Sequence, residues 1–138
     1  MPVDFSGKWK VKSCDANVDE IMTKSGYPAP VIEYMKTKIS FETKQSGDDY
    51  ENTYRTPDGK EKVVKGKIGQ KMEDKDLMGR TYTSLTNWEG DKLVSEVTYS
   101  DGSVPNSRIV REIKGSNMIT MSTLVDAGIT SEMVFEKC

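Results

Sequence analysis

Residues Ser107–Gly115 read SRIVREIKG, and the alternation in that stretch decides between a solid β-core and a hollow one. Successive side chains of an extended chain point to opposite faces. Ile109, Arg111 and Ile113 therefore share one face, and Arg108, Val110 and Glu112 share the other. A guanidinium among aliphatic side chains is costly unless it is paired or hydrated. Three arrangements remove that cost: a β-bulge that turns Arg111 to solvent, an internal Asp or Glu that pairs with it, or a polar cavity that receives an anion. The other alternating stretches favour a cavity. Their apolar faces carry Tyr50, Asn52 and Tyr54; Tyr82, Ser84 and Thr86; Leu93, Ser95, Val97 and Tyr99; and Ile129, Ser131, Met133 and Phe135. So many hydroxyls do not suit a close-packed core, but they suit the interior of a barrel with room for one small ligand. Plain core packing is the simpler reading of Met133 and Phe135 taken alone.

Around this strand the chain is organised by the same period of two. Phe5, Gly7, Trp9 and Val11 alternate with Ser6, Lys8, Lys10 and Lys12, the mark of a half-buried antiparallel strand. The next stretch, CDANVDEIMTKSG, offers Asp15 and Asn17 as helix caps, Val18, Ile21 and Met22 at helical spacing, and Gly26 as a stop. YPAPVIEYMKT then predicts a second short helix with Pro30 near its first turn. From Lys38 onward turn signals recur every ~8–12 residues, as in sandwiches and barrels. TPDGKE, WEGDK and KGSN read as turns, DGSVPN as a loop and DKDLMGR as a longer gap. The expectation is one all-β domain spanning residues 1–138: a ten-stranded antiparallel up-and-down β-barrel, or β-clam. A short helix-turn-helix follows the first strand and forms a lid over about residues 16–37.

Composition narrows the function. The chain has 138 residues, with 20 basic and 22 acidic side chains interspersed along it. That pattern is a solvated surface and not a nucleic-acid footprint. No apolar run approaches the ~18 residues of a membrane span, and the opening MPVDFSGKWK has no apolar stretch of a secretory signal. The absence of histidine removes Ser–His and Cys–His chemistry, and no phosphate-binding or dinucleotide-binding glycine motif is present. Cys14 and Cys138 have no metal-ligand spacing, and the acidic stretch 48–61 lacks the glycine an EF-hand needs at its sixth position. These features predict a cytoplasmic monomer with no metal, no cofactor and no enzymatic activity; they suit reduced cysteines and leave a Cys14–Cys138 bridge as the alternative.

Six segments in order resemble the intracellular lipid-binding proteins of the calycin superfamily, the fatty-acid-binding and cellular retinoid-binding proteins. FSGKWKVKS resembles their F-x-G-x-W opening, and NVDEIMTKSG their first helix, with Val18 and Ile21 in place of aromatics. GKIGQKMED is similar to an F-K-L-G-x-E-F-D-E segment, with Gly66, Lys71 and Met72 as departures. WEGDKLVSEV, IVREIKG and MVFEK complete the series. The resemblance covers the whole chain. It implies two near-orthogonal sheets around an internal, partly hydrated cavity, and it places Arg111 at the position that receives an anionic head group. Met133 and Phe135 stand where many fatty-acid carriers have an arginine and a tyrosine.

The leading expectation is an intracellular carrier that holds a long-chain fatty acid non-covalently. Arg111 would meet the carboxylate. The hydroxyls of Tyr54, Tyr82, Tyr99 and Ser131 would organise water around it. Met22, Val31, Ile32, Met35, Phe41, Ile109, Met133 and Phe135 would line or support the path of the tail, methionine suiting a tail of variable shape. One alternative is a carrier of a retinoid or another isoprenoid or bile-acid carboxylate. A second is a membrane-binding structural protein whose lysine faces meet acidic lipid, a role opposed by the net charge of −2. Transient contact with membranes is compatible with each.

Overall fold

The computed structural model describes residues 3–138 except 57, 77, 101 and 103. Parts of the expected TPDGKE turn, DKDLMGR gap and DGSVPN loop thus lie outside the described residues. The chain forms β1 (Gly7–Cys14), α1 (Asn17–Lys24), α2 (Ala29–Thr37), β2 (Ser40–Ser46), β3 (Asp49–Arg55), β4 (Glu61–Lys67), β5 (Met72–Lys75), β6 (Thr81–Glu89), β7 (Lys92–Tyr99), β8 (Ser107–Lys114), β9 (Asn117–Leu124) and β10 (Ile129–Lys137). This is the expected order. Every ladder is antiparallel. Sequence neighbours pair, and β10 returns to β1, so the sheet runs β4-β3-β2-β1-β10-β9-β8-β7-β6-β5. The barrel is nearly closed. Its one opening lies between β4 and β5, which share no ladder.

Local chemistry explains the helical insert. Gly26, at φ +83°, takes the left-handed conformation just past α1 and ends it. Pro30 sits in the first turn of α2, where its missing N–H costs nothing. Ala16 occupies the cap position, but Asp15 supplies part of the expected capping: its Oδ1 accepts the N–H of Asn17, the first residue of α1, at 3.0 Å, whereas the Asn17 side chain turns to the neighbouring strand and caps nothing. Asp15 Oδ2 accepts the Glu132 N–H at 2.9 Å, and Asn17 Nδ2 donates to the Thr130 carbonyl at 2.9 Å, pinning the start of α1 to β10. The expected long gap at DKDLMGR is a tight hairpin turn. Asp76 Oδ1 accepts the N–H groups of Met78 and Arg80, and the Asp76 N–H donates to the Arg80 carbonyl at 2.9 Å.

The solid core lies at one end of the barrel. Phe5, Trp9, Met118 and Phe135 are buried together there, with Phe41, Leu93, Ile113 and Met133 packed against them. Trp9 Nε1 donates to the Phe5 carbonyl at 3.0 Å, which satisfies its only polar atom. Burial of a side chain such as Phe5 or Met118 contributes roughly 1.5–3 kcal/mol. The helices cover the barrel with Val18, Ile21 and Ile32 as their buried residues. Cys14 and Cys138 are free thiols at opposite ends of the β1–β10 pairing.

Candidate functional site

The cross-strand register stacks inward side chains in rows. Leu93, Arg111, Thr120 and Met133 form one row across β7, β8, β9 and β10. Neither ladder of β8 is interrupted by a bulge, so Arg111 keeps the inward face that alternation assigns it. The chain has four arginines. Arg55 reaches the Gly59 carbonyl, Arg80 pairs with Asp76 at 2.9 Å, and Arg108 pairs with Glu89 at 2.8 Å on the outer face. Among the described residues, Arg111 has no carboxylate partner and no side-chain hydrogen bond.

Arg111 is surrounded by protein, yet part of its surface stays accessible, so that surface faces the barrel interior. Burial holds its pKa below the ordinary guanidinium value. The groups near enough to oppose that shift are Tyr50 and Tyr82, with no carboxylate among them. An arginine stays protonated in such a setting. The result is a fixed internal cation with free N–H donors.

The adjoining row supplies hydroxyls. Thr86, Ser95, Ile109, Ser122 and Ser131 lie side by side across β6 to β10. The Thr86 and Ser95 hydroxyls share a hydrogen bond of 2.7 Å, and both residues are buried. A third row crosses the opening between β4 and β5. Tyr54 lies opposite Lys62, and Asp74 lies opposite Tyr82, which lies opposite Tyr99. Lys62 Nζ meets Asp74 Oδ1 at 3.1 Å across the opening, and about a quarter of each side chain is accessible. Burial pushes the Tyr82 phenol up to about 12 and the Tyr54 and Tyr99 phenols higher still, so all three are neutral donors.

The rim of this end is tied to the helices. Arg80 Nη1 donates to the Ser25 carbonyl at 2.7 Å, and its guanidinium lies over the rings of Tyr27 and Tyr99. Tyr99 donates to Asp76 Oδ2 at 2.8 Å, the oxygen that also accepts from Arg80 Nε. Tyr34 donates to the Arg55 carbonyl, joining α2 to the β3–β4 turn.

The sequence-predicted residues divide accordingly. Tyr54, Tyr82, Tyr99, Ile109, Arg111, Ser131 and Met133 face the interior. Phe135 is 6% exposed and stacks edge-on against Phe41 at 5.1 Å, so both belong to the closed-end core. Ile32 is buried under the helical cap, while Met22, Val31 and Met35 are half-buried in it. Lys62, Asp74, Thr120 and Ser122 face inward and were not predicted for the site, and Tyr50, read as inward, was not foreseen as a neighbour of Arg111. Inward parity along MITMSTL would have found Thr120. Adjacent Val63 and Val64 hide the parity of β4, and the structure turns Val63 outward and Lys62 in. A shallow concavity of about 360 Å³ along β2, β3 and β4 borders Tyr50 and Gly66 and does not include Arg111.

The sequence profile of the Lipocalin / cytosolic fatty-acid binding protein family matches residues 3–138. Gastrotropin of Oryctolagus cuniculus is 31% identical over 134 residues, covering 96% of this chain and 97% of the relative. Cellular retinoic acid-binding protein 1 of Gallus gallus is 29% identical over 124 residues, covering 84% and 86%. Among solved structures, apo lipid-binding protein 8 of Caenorhabditis elegans superposes with a TM-score of 0.83 at 18% identity, covering 100% and 99%. The REP1-NXSQ fatty acid transporter gives 0.80 at 20% identity, covering 98% of this chain and 96% of the transporter.

Proposed function

This chain belongs to the lipocalin/cytosolic fatty-acid binding protein family, and from that membership we propose that it is a non-enzymatic cytosolic carrier of a long-chain fatty acid. The observation that carries the reading is Arg111: a buried inward guanidinium that no carboxylate of the described residues neutralises. A ligand carboxylate would give it a charge-assisted hydrogen bond in a low-dielectric site. Thr120 in the same row and the hydroxyls of Ser95, Ser122 and Ser131 in the next would hold the second oxygen or its water. Met133 in the Arg111 row brings no second charge, so the head group depends on one cation. The rim formed by α1, α2, the β3–β4 turn and the β5–β6 turn would be the entry.

A retinoid or another isoprenoid carboxylate is the second reading. It is favoured by the relatives named as cellular retinoic acid-binding proteins, and it uses Arg111 in the same way. Native mass spectrometry of the purified chain, followed by extraction of the co-purifying small molecule, separates the two. A saturated or unsaturated alkyl acid supports the first reading. An extracted polyene that absorbs above the protein band supports the second. A neutral lipid would sink both.

A further inference from the structure

We infer that the Lys62–Asp74 pair and the phenols beside it form a second polar subsite, which takes a hydroxyl on the ligand remote from its carboxylate. This rests on the carboxylate reading of Arg111 and refines the class of ligand: a hydroxylated lipid acid preferred over a plain alkyl acid.

Three observations carry it. The first is position. Tyr54, Lys62, Asp74 and Tyr82 are cross-strand neighbours on the inner face, next to the turns that rim the entry. The second is spare bonding capacity. Lys62 Nζ has one partner, Asp74 Oδ1, which also accepts the Lys75 N–H at 2.7 Å. Among the described residues, Asp74 Oδ2 and the Tyr54 and Tyr82 hydroxyls have no hydrogen-bond partner. The subsite therefore offers ammonium and phenol donors beside a carboxylate acceptor. The third is charge. Asp74 repels a second anion, and Lys62 repels a cation. A neutral group that both donates and accepts fits the set, and a hydroxyl is the simplest such group. A bare alkyl chain would displace water from these polar atoms and return no hydrogen bond, which is unfavourable.

The pair could instead serve only to bridge the opening between β4 and β5, so the test needs a readout that a purely structural role would not move. The probes are octadecanoic acid, a positional series of hydroxyoctadecanoic acids, and the methyl ester of each. Affinities are measured calorimetrically for the parent and for a Lys62→Met/Asp74→Leu variant. At least one positional isomer should bind the parent about fivefold or more tighter than the unsubstituted acid, the scale of one added hydrogen bond. The variant should lose that preference and bind the unsubstituted acid within about threefold of the parent or better. A Tyr54→Phe variant removes a single oxygen, keeps Tyr82 beside Arg111, and reads the ratio of hydroxylated to unsubstituted acid if the first variant fails to fold. The inference is overturned if no isomer is preferred by the parent, or if the preference survives in the folded variant. The esters separate the two readings. If esterification costs no affinity, the carboxylate reading of Arg111 fails, while the hydroxyl preference is still read within the ester series.

Discussion

A Cβ built on Gly66 would overlap Oη and Cζ of Tyr50, its partner across the β3–β4 ladder. The ring lies on bare backbone, and this explains why β4 departs there from the F-K-L-G pattern. Gly66→Ala should therefore cost about 1–3 kcal/mol through overpacking. Most of that cost should vanish in a Tyr50→Ala background, because contacting residues are energetically coupled. Urea unfolding of the four proteins in this cycle checks it, and an equal cost in both backgrounds would remove Tyr50 as the cause. The interior tyrosines make a second residue-level prediction. Burial raises the pKa of Tyr27, Tyr54, Tyr82 and Tyr99 above the ordinary phenol value. A group whose folded pKa is raised stabilises the fold below its unfolded pKa, near 10, and loses that contribution as pH rises through the folded value. Stability should be insensitive to these phenols up to about pH 10 and fall from there toward pH 12. Phenolate absorbance should rise together with unfolding. A rise completed near pH 10 in the folded protein would contradict the burial.

At the scale of elements, the two short helices cover one part of the barrel, and they are expected to act as its lid. Tyr34 fixes α2 to the Arg55 carbonyl, and Arg80 fixes the α1–α2 link to the Asp76 turn. Lids are drawn from the least stable parts of a structure. Amide hydrogen exchange should be faster across residues 17–37 than across β1, and ligand should slow it. Arg80→Met should speed exchange at Ser25–Tyr27 without changing the amides of Trp9's strand. Equal protection of lid and β1, unmoved by ligand, would refute the gate. The strands were legible in the sequence because alternation is a local signal: one residue's face fixes the next. Alternation put Arg111 on the face of Ile109 and Ile113 but left a bulge open, and only the unbroken ladders of β8 close that alternative. What alternation does not hold is the relation between elements. Phe135 and Arg111 both face inward, but only packing puts Phe135 in the closed-end core. Lys62 and Asp74 meet across an opening with no ladder to couple their registers. Asn17 carries capping chemistry, yet the nearby backbone of β10 claims its side chain, and Asp15 divides its two oxygens between the start of α1 and β10.

The whole molecule is a barrel with a solid end, a polar interior and a latched rim, and its function depends on what the interior binds. A ligand that binds only the folded state should stabilise it by about 2.7 kcal/mol at a hundredfold excess over Kd. Oleate should therefore raise Tm, and EDTA should leave it unchanged. A large loss with EDTA would mark the acidic segment 48–61 as a metal site. The central claim is that Arg111 is the internal partner of a lipid carboxylate, and Arg108, outward on the same strand and paired with Glu89, is its built-in control. The direct measurement is a calorimetric titration of the parent, Arg111→Leu and Arg108→Leu with oleate and with oleyl alcohol. Arg111→Leu should weaken oleate by about 2 kcal/mol, roughly thirtyfold, and bind the alcohol at least as well as the parent does. Its fold should survive, because an unpaired buried guanidinium costs desolvation. Arg108→Leu should change oleate affinity by less than about 1 kcal/mol. Equal oleate affinity in the parent and Arg111→Leu would contradict the account.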